Sequence, residues 1–320
     1  MAQQITYHDL KPAGQSLRDA VIRGFSSERK TIPPKFFYDE RGSALFDVIC
    51  RQPEYYLPDV ERALLTRLAG EIAAYTGTGR VVIEPGAGNA SKVRLLLDAL
   101  LPTAYVPLDI SFDYLKRAAR ELVEDYPWLP VHAVCADYTD SLPLPEDLPA
   151  GLRLIFFPGS SLGNFEPAEA LVFLKKIHAA LGQGGMLLIG VDTKKSASIL
   201  DAAYNDAAGV TAAFNLNLLH RIRRELGADL DPQAFSHQAY YNPEAGRIEM
   251  HLVSRQTQRV RVNGHSFLFR DGETLHTENS YKYSPREFLD LAAQAGFRSR
   301  AHWLDRRGLF AIYLIEVAAA

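Results

Sequence analysis

The chain has 320 residues, 47% of them hydrophobic and 23% charged, which allows one large domain or two modest ones. A net charge of −3 and a pI near 6.3 argue against phosphate-backbone binding as its main task. The densest basic cluster, Arg221, Arg223 and Arg224, reads as a solvated helix face rather than a nucleic-acid patch.

Along the chain, residues 1–6 lack the basic flank and apolar core of a signal peptide. From 60 to 195, helices and strands alternate. A helix over 60–75 leads to a strand over 80–84, then a helix over 91–101 and a strand over 104–108 ending at Asp109. A helix over 112–125 precedes a strand over 131–136 ending at Asp137. A strand over 152–157, a helix over 167–181 and a strand over 186–191 ending at Asp192 complete the run. Strands apolar almost throughout, separated by helices, mean a parallel sheet covered on both faces.

The alternation then stops. Residues 196–225 read as one long helical pattern. Residues 240–262 read as a hairpin turning at Asn242–Gly246, and 267–283 as further extended chain. Ser284-Pro285-Arg286-Glu287 is a helix start, with Ser as cap and Glu three residues on. That helix runs to about Ala295, and strands over 298–304 and 309–317 close the chain.

This order predicts a Rossmann-like α/β methyltransferase sheet, parallel with a C-terminal antiparallel hairpin. A dehydrogenase would supply a second βαβαβ half instead. The expected core is 60–195 with 284–320. Residues 1–59 and 196–283 are the material for a smaller α+β substrate-binding domain.

Val81-Val82-Ile83-Glu84-Pro85-Gly86-Ala87-Gly88-Asn89-Ala90-Ser91-Lys92 is the entry to a nucleotide-binding unit. Ser91 replaces the third glycine of the dinucleotide fingerprint. An acid two residues before Gly-x-Gly suits S-adenosylmethionine, which has no pyrophosphate to cradle; Glu84 would be unwelcome beside one. In such sheets ligands bind beyond the strands' carboxyl ends, where Glu84, Asp109, Asp137 and Asp192 fall in register. Singly, each acid reads as a loop or cap residue; together they favour a nucleoside. Asp109, about twenty residues past Gly88, suits a ribose diol. Asp137 suits an exocyclic amine, with Tyr138 to stack on adenine. Gly86 and Gly88 permit close backbone approach.

Other chemistries find little support. Cys50 and Cys135 lie in apolar surroundings and read as buried thiols in a reducing, cytoplasmic setting. No His or Cys pair sits at metal-ligand spacing, so no metal is expected. No apolar run is long enough to span a bilayer. No dimerisation signal is apparent, and a monomer is expected.

The stretch Ile32-Pro33-Pro34-Lys35-Phe36-Phe37-Tyr38-Asp39-Glu40-Arg41-Gly42-Ser43-Ala44-Leu45-Phe46-Asp47, followed by Gln52-Pro53-Glu54-Tyr55-Tyr56, closely resembles the histidine-specific Nα-methyltransferases of ergothioneine biosynthesis. The resemblance continues, in order, through Phe157–Asn164, Ala203–Thr211, Ile248–Met250 and Glu278–Ser280. It implies S-adenosylmethionine-dependent trimethylation of the L-histidine α-amine, giving hercynine. By the same resemblance, Tyr55, Asn164 and Tyr204 grip the substrate carboxylate, with Tyr56 the alternative to Tyr55. Glu278 and Ser280 read the imidazole, Tyr38 lies near the amine, Met250 lines the ring pocket, and Gly159 belongs to the substrate loop. Gly86, Gly88, Lys92, Asp109, Asp137 and Tyr138 match cofactor positions. Two departures stand out: Pro85 replaces a larger apolar residue, and Leu57-Pro58-Asp59 stands where Pro-Thr-Arg is commoner.

The residues agree with that chemistry. Methyl transfer from a sulfonium to a neutral amine leaves net charge unchanged, so no oxyanion device is needed. Glu278 and Ser280, two apart on a strand, share a face. An indole cannot use both, which speaks against the alternative, an Nα-methyltransferase acting on another amino acid such as tryptophan.

Overall fold

The structure is a computed structural model describing residues 4–10, 16–139 and 142–318. Met1–Gln3, at the start of the segment read as lacking a leader, lie outside the described residues. The chain divides into two compact units: Met1–Gly14 with Leu57–Lys194 and Tyr283–Ala320, and Gln15–Tyr56 with Lys195–Lys282.

Among the described residues, the first unit holds an eight-stranded sheet. From Val81–Pro85 the chain steps outward through Ala104–Asp109 to Val131–Cys135. It then returns to the other side of Val81–Pro85 with Arg153–Phe157 and Met186–Asp192. Strand order therefore reverses beside Val81–Pro85, which opens a crevice at the carboxyl ends of the strands. Val81, Val82 and Ile83 are all buried, as a strand covered on both faces requires. Helix Phe112–Asp125 covers one stretch with Leu115, Ala118, Ala119 and Leu122, a helical stripe. Helix Pro285–Gln294 starts with the expected capping box between Ser284 and Glu287. Strand Phe310–Val317 lies between Met186–Asp192 and Phe297–Leu304 and runs antiparallel to both.

Several boundaries differ from expectation. Residues 1–59 do not belong wholly to the second unit: Ile5–Asp9 pairs in parallel with Val131–Cys135 and extends the large sheet. This strand satisfies backbone groups that would otherwise line a sheet edge. The helix expected at 91 starts at Arg94, after a loop through Lys92. Cys135 is buried, but Cys50 is only partly so.

In the second unit, a four-stranded sheet runs in the order Lys30–Thr31, Thr274–Tyr281, Arg247–Ser254, Phe235–Asn242. Its apolar face packs Ile248, Met250, Leu252 and Leu275 into a core with Val21, Phe25, Phe37, Phe214 and Leu218. The hairpin turn at Asn242–Gly246 is present, but Gln258–Val262 leaves that hairpin to pair with His265–Phe269 in a separate ribbon. The single helix expected over 196–225 is two, Ala197–Tyr204 and Val210–Leu226. Asp206 breaks it by accepting the Val210 and Thr211 N–H groups, both at 2.7 Å.

Candidate active site

The first unit's crevice is built on two loops. Gly86 and Gly88 carry φ of 71° and 55°, a left-handed path that keeps the loop tight. A Cβ at Gly86 would come 3.1 Å from the Tyr138 hydroxyl, so Tyr138 lies against the loop as well as against Phe157 and Phe173. Asp109 fixes the loop from the next strand: it accepts from Gly88 N–H at 3.1 Å and from Ser111 N–H at 2.9 Å. Burial raises its carboxyl above the ordinary range, against these backbone hydrogen bonds. Backbone N–H groups of Gly88, Ile110 and Ser111 together leave part of the carboxylate's acceptor capacity for a ligand diol. Asp137 accepts from Thr139 N–H at 3.0 Å and from the Thr139 hydroxyl, a local turn that orients the carboxylate. Glycines, a buried acid at a strand end and an adjacent aromatic fit a nucleoside.

Sequence reasoning missed the residue that ties the crevice together. Glu61, in helix Leu57–Thr76, is 1% exposed. It accepts from Lys92 Nζ at 2.6 Å and from Gly159 N–H at 2.8 Å. It thus joins the loops on either side of the strand-order reversal. A glutamate in an amphipathic helix reads as solvated, and nothing local marks this one. Ala90 and Ser160 hold left-handed φ of 54° and 59° in these two loops, strain of the kind stored beside ligands. Asn164 ends the short helical turn Ser161–Asn164 on the second loop. Glu84 is buried and hydrogen-bonded by the Tyr105 hydroxyl. Burial, with Glu61 and Asp109 nearby, raises its carboxyl to about 8 despite Tyr105 and Lys92.

The second unit gathers most of the residues matched to substrate. Glu278 pairs with Met250 across the strands, and Ser280 with Ile248. The Ser280 hydroxyl accepts from the Tyr204 hydroxyl at 2.8 Å. The Tyr55 ring meets the Tyr204 ring edge-on at 5.9 Å. Burial raises the Tyr55 hydroxyl well above the phenol range, and Tyr204, Cys50, Glu278 and Tyr38 add to the effect. Tyr55 therefore faces this cluster. Tyr56 instead accepts from Lys195 Nζ at 2.6 Å. Glu278 is raised by burial to about 7, against the pull of Lys282.

Tyr38 is placed by its neighbour. Asp39 caps helix Glu40–Ile49 through Gly42 N–H at 2.7 Å and takes Asn217 at 2.8 Å and Arg224 at 2.6 Å. Any Cβ at Gly42 would overlap the Phe37 carbonyl. This explains why the Tyr38-Asp39-Glu40-Arg41-Gly42 run is so specific. The Tyr38 ring then rests edge-on against Phe46 and Phe214.

The other sheet face carries Glu249, His251 and His276, whose ligand-type atoms lie within 4.8 Å of one another. Histidine spacing in the sequence gives no hint of this, because the two histidines come from paired strands. Glu249 is already held by Arg247 at 2.9 Å, Asn242 at 3.0 Å and Tyr240 at 3.0 Å.

Comparison with known proteins identifies the family and the fold. The family described as "Histidine-specific methyltransferase, SAM-dependent" matches residues 17–317. The histidine N-alpha-methyltransferase of Mycolicibacterium smegmatis is 40% identical over 94% of this chain and 95% of its own. That of Mycobacterium tuberculosis is 38% identical over 98% of this chain and 99% of its own. Among solved structures, the magnesium protoporphyrin IX methyltransferase of Synechocystis, with bound SAH, aligns at TM-score 0.50 and 10% identity. That alignment covers 89% of this chain and 98% of the other, and it speaks to the fold alone.

Proposed function

We propose that this chain, which belongs to the family of SAM-dependent histidine-specific methyltransferases, transfers methyl groups from S-adenosylmethionine to the α-amine of L-histidine, three times, to give hercynine. The observation that carries the substrate is the strand face of Glu278 and Ser280, with Met250 opposite Glu278 and Tyr204 bonded to Ser280.

In this reading the first unit is the cofactor domain and the second the substrate domain. Asp109 takes the ribose diol, Asp137 and Tyr138 the adenine, and Gly86, Gly88 and Lys92 frame the loop. Glu278 accepts an imidazole N–H, and Met250 packs against the ring. Tyr55 donates to the carboxylate, and Tyr204, whose hydroxyl proton goes to Ser280, borders it. Asn164 and Gly159 keep the substrate roles that the sequence motif suggests.

S-adenosylmethionine supplies an electrophilic methyl on a sulfonium. What remains for the protein is placement, worth about 7–11 kcal/mol at best. Neutral tyrosines suit that task, since they fix a zwitterion without adding charge beside a sulfonium. The amine must lose a proton before each transfer, and Tyr38 is the proposed route. Aromatic faces accept the growing ammonium at about 0.5–2 kcal/mol each. No helix among the described residues is long and apolar enough to cross a membrane. A cytoplasmic monomer that engages no nucleic acid is part of the same proposal.

The test is to incubate the protein with S-adenosylmethionine and an equimolar pool of amino acids, and to read products by mass spectrometry. Trimethylated histidine is expected. Trimethylated tryptophan in its place would favour the alternative substrate, and no methylated amino acid would refute the reading.

A further inference from the structure

Lys282 lies two residues beyond Ser280 and is 1% exposed. Its Nζ donates to the Ser280 hydroxyl at 2.9 Å and to the Tyr204 hydroxyl at 3.2 Å. It also lies 5.1 Å from the centre of the Tyr204 ring. Glu278 and Ser280 alternate along strand Thr274–Tyr281 and share a face, and Lys282, just past the strand's end, brings its amine to that face through its bonds to Ser280 and Tyr204.

Counting donors gives this triangle a direction. A serine hydroxyl has one proton and two lone pairs. Ser280 Oγ accepts from Lys282 and from Tyr204, which uses both lone pairs. Its own proton must therefore point away from the triangle. Ser280 can give a hydrogen bond to a ligand but cannot take one.

We propose that Lys282 is a specificity-determining positioning residue: by saturating the Ser280 oxygen, it makes the pocket select a neutral imidazole. Such a ring offers one N–H, for the Glu278 carboxylate, and one lone-pair nitrogen, for the Ser280 proton. A ring with an N–H but no lone-pair nitrogen leaves the Ser280 hydroxyl buried and unpaired. An imidazolium sets an N–H against that hydroxyl. Buried, unmatched polar groups are the strongest source of discrimination between similar substrates. A lysine in sequence reads as surface, so only the fold shows it. The proposal rests on the assignment of Glu278 and Ser280 to the imidazole.

The test compares kcat/KM for histidine with that for a pyrrolylalanine, whose ring has an N–H but no acceptor nitrogen. Lys282→Met frees one Ser280 lone pair and should reduce the preference for histidine about tenfold or more. In a Ser280→Ala background, Lys282→Met should leave the remaining preference unchanged, because Lys282 acts through that hydroxyl. An unaltered preference in the single variant, or an equal loss in both backgrounds, overturns the proposal. A second measurement needs no variant. Nitrogen-15 spectra of ring-labelled histidine bound to the native protein at pH 8, where Glu278 is ionised, should show one protonated and one lone-pair nitrogen. Two protonated nitrogens would overturn it, whether or not the Met variant folds. If Glu278→Ala and Ser280→Ala both leave histidine kcat/KM unchanged, the pocket assignment itself has failed. Loss in those variants with an unaltered preference in Lys282→Met sinks only the role of Lys282.

Discussion

Glu278 and Glu84 are buried acids in different surroundings, and each carries its own expectation. Glu278→Ala should lower kcat/KM for histidine at least about tenfold, near 1.4 kcal/mol, because an imidazole N–H loses its acceptor. An unchanged value would count against the pocket. Burial raises Glu278 to about 7, so the carboxylate needed for N–H recognition is lost below that pH. The kcat/KM profile for histidine should fall on its acid side with a midpoint near 7, and Glu278→Gln should remove that component. Glu84 is raised by burial from 4.5 to about 8. A raised carboxyl contributes stability below its unfolded value and loses it as pH climbs to the folded value. Native protein should therefore weaken relative to Glu84→Gln between pH 4.5 and 8. Thermal unfolding should show the Gln variant gaining at least about 3 °C more at pH 8.5 than at pH 4.5. A gain independent of pH would mean that Glu84 does not titrate in this range.

At the scale of elements, Asp206 deserves a direct probe. It supplies the cap of helix Val210–Leu226 and ends the segment that carries Tyr204. Asp206→Ala should cost about 1–2 kcal/mol, read as a lower midpoint in thermal or urea unfolding. Full stability in that variant would show that the break between the helices is fixed by other contacts. The same region shows where sequence reasoning stops. Helices Phe112–Asp125 and Pro167–Leu181 were legible to the residue because their apolar spacing is regular and, in the second, a proline opens the first turn. The break after Tyr204 was hidden by an alanine-rich run with unbroken helical character. An Asp followed three residues later by Gly, here left-handed at φ 70°, was the signal available. Ile5–Asp9 escaped notice because it is short, half-buried and partnered only by a strand far along the chain. The site divides in the same way. The acids at strand ends were readable from position alone, and the tyrosines and Glu278 from the motif. Glu61 and Lys282 were not, because a charge becomes structural only when the fold has buried it.

At the scale of the whole molecule, the separate ligand roles proposed for the two units should show as separate responses. Hydrogen exchange with S-adenosylmethionine present should slow in the loop 86–92 and at Asp109–Ser111. Histidine should slow exchange in strands Thr274–Tyr281 and Arg247–Ser254. Protection by S-adenosylmethionine confined to the second unit would reverse the assignment of roles. The position of Phe310–Val317 bears on how such a protein is made. This strand emerges from the ribosome after every other strand of the large sheet, yet its place is inside that sheet. At about 5–20 residues per second, the strands that open the crevice wait tens of seconds for it. Until then, Met186–Asp192 presents an apolar edge with no neighbour. Cutting the chain just before Phe310 would leave that gap permanently open rather than trim a margin, so a tag or fusion is better placed beyond Val317 than in exchange for it.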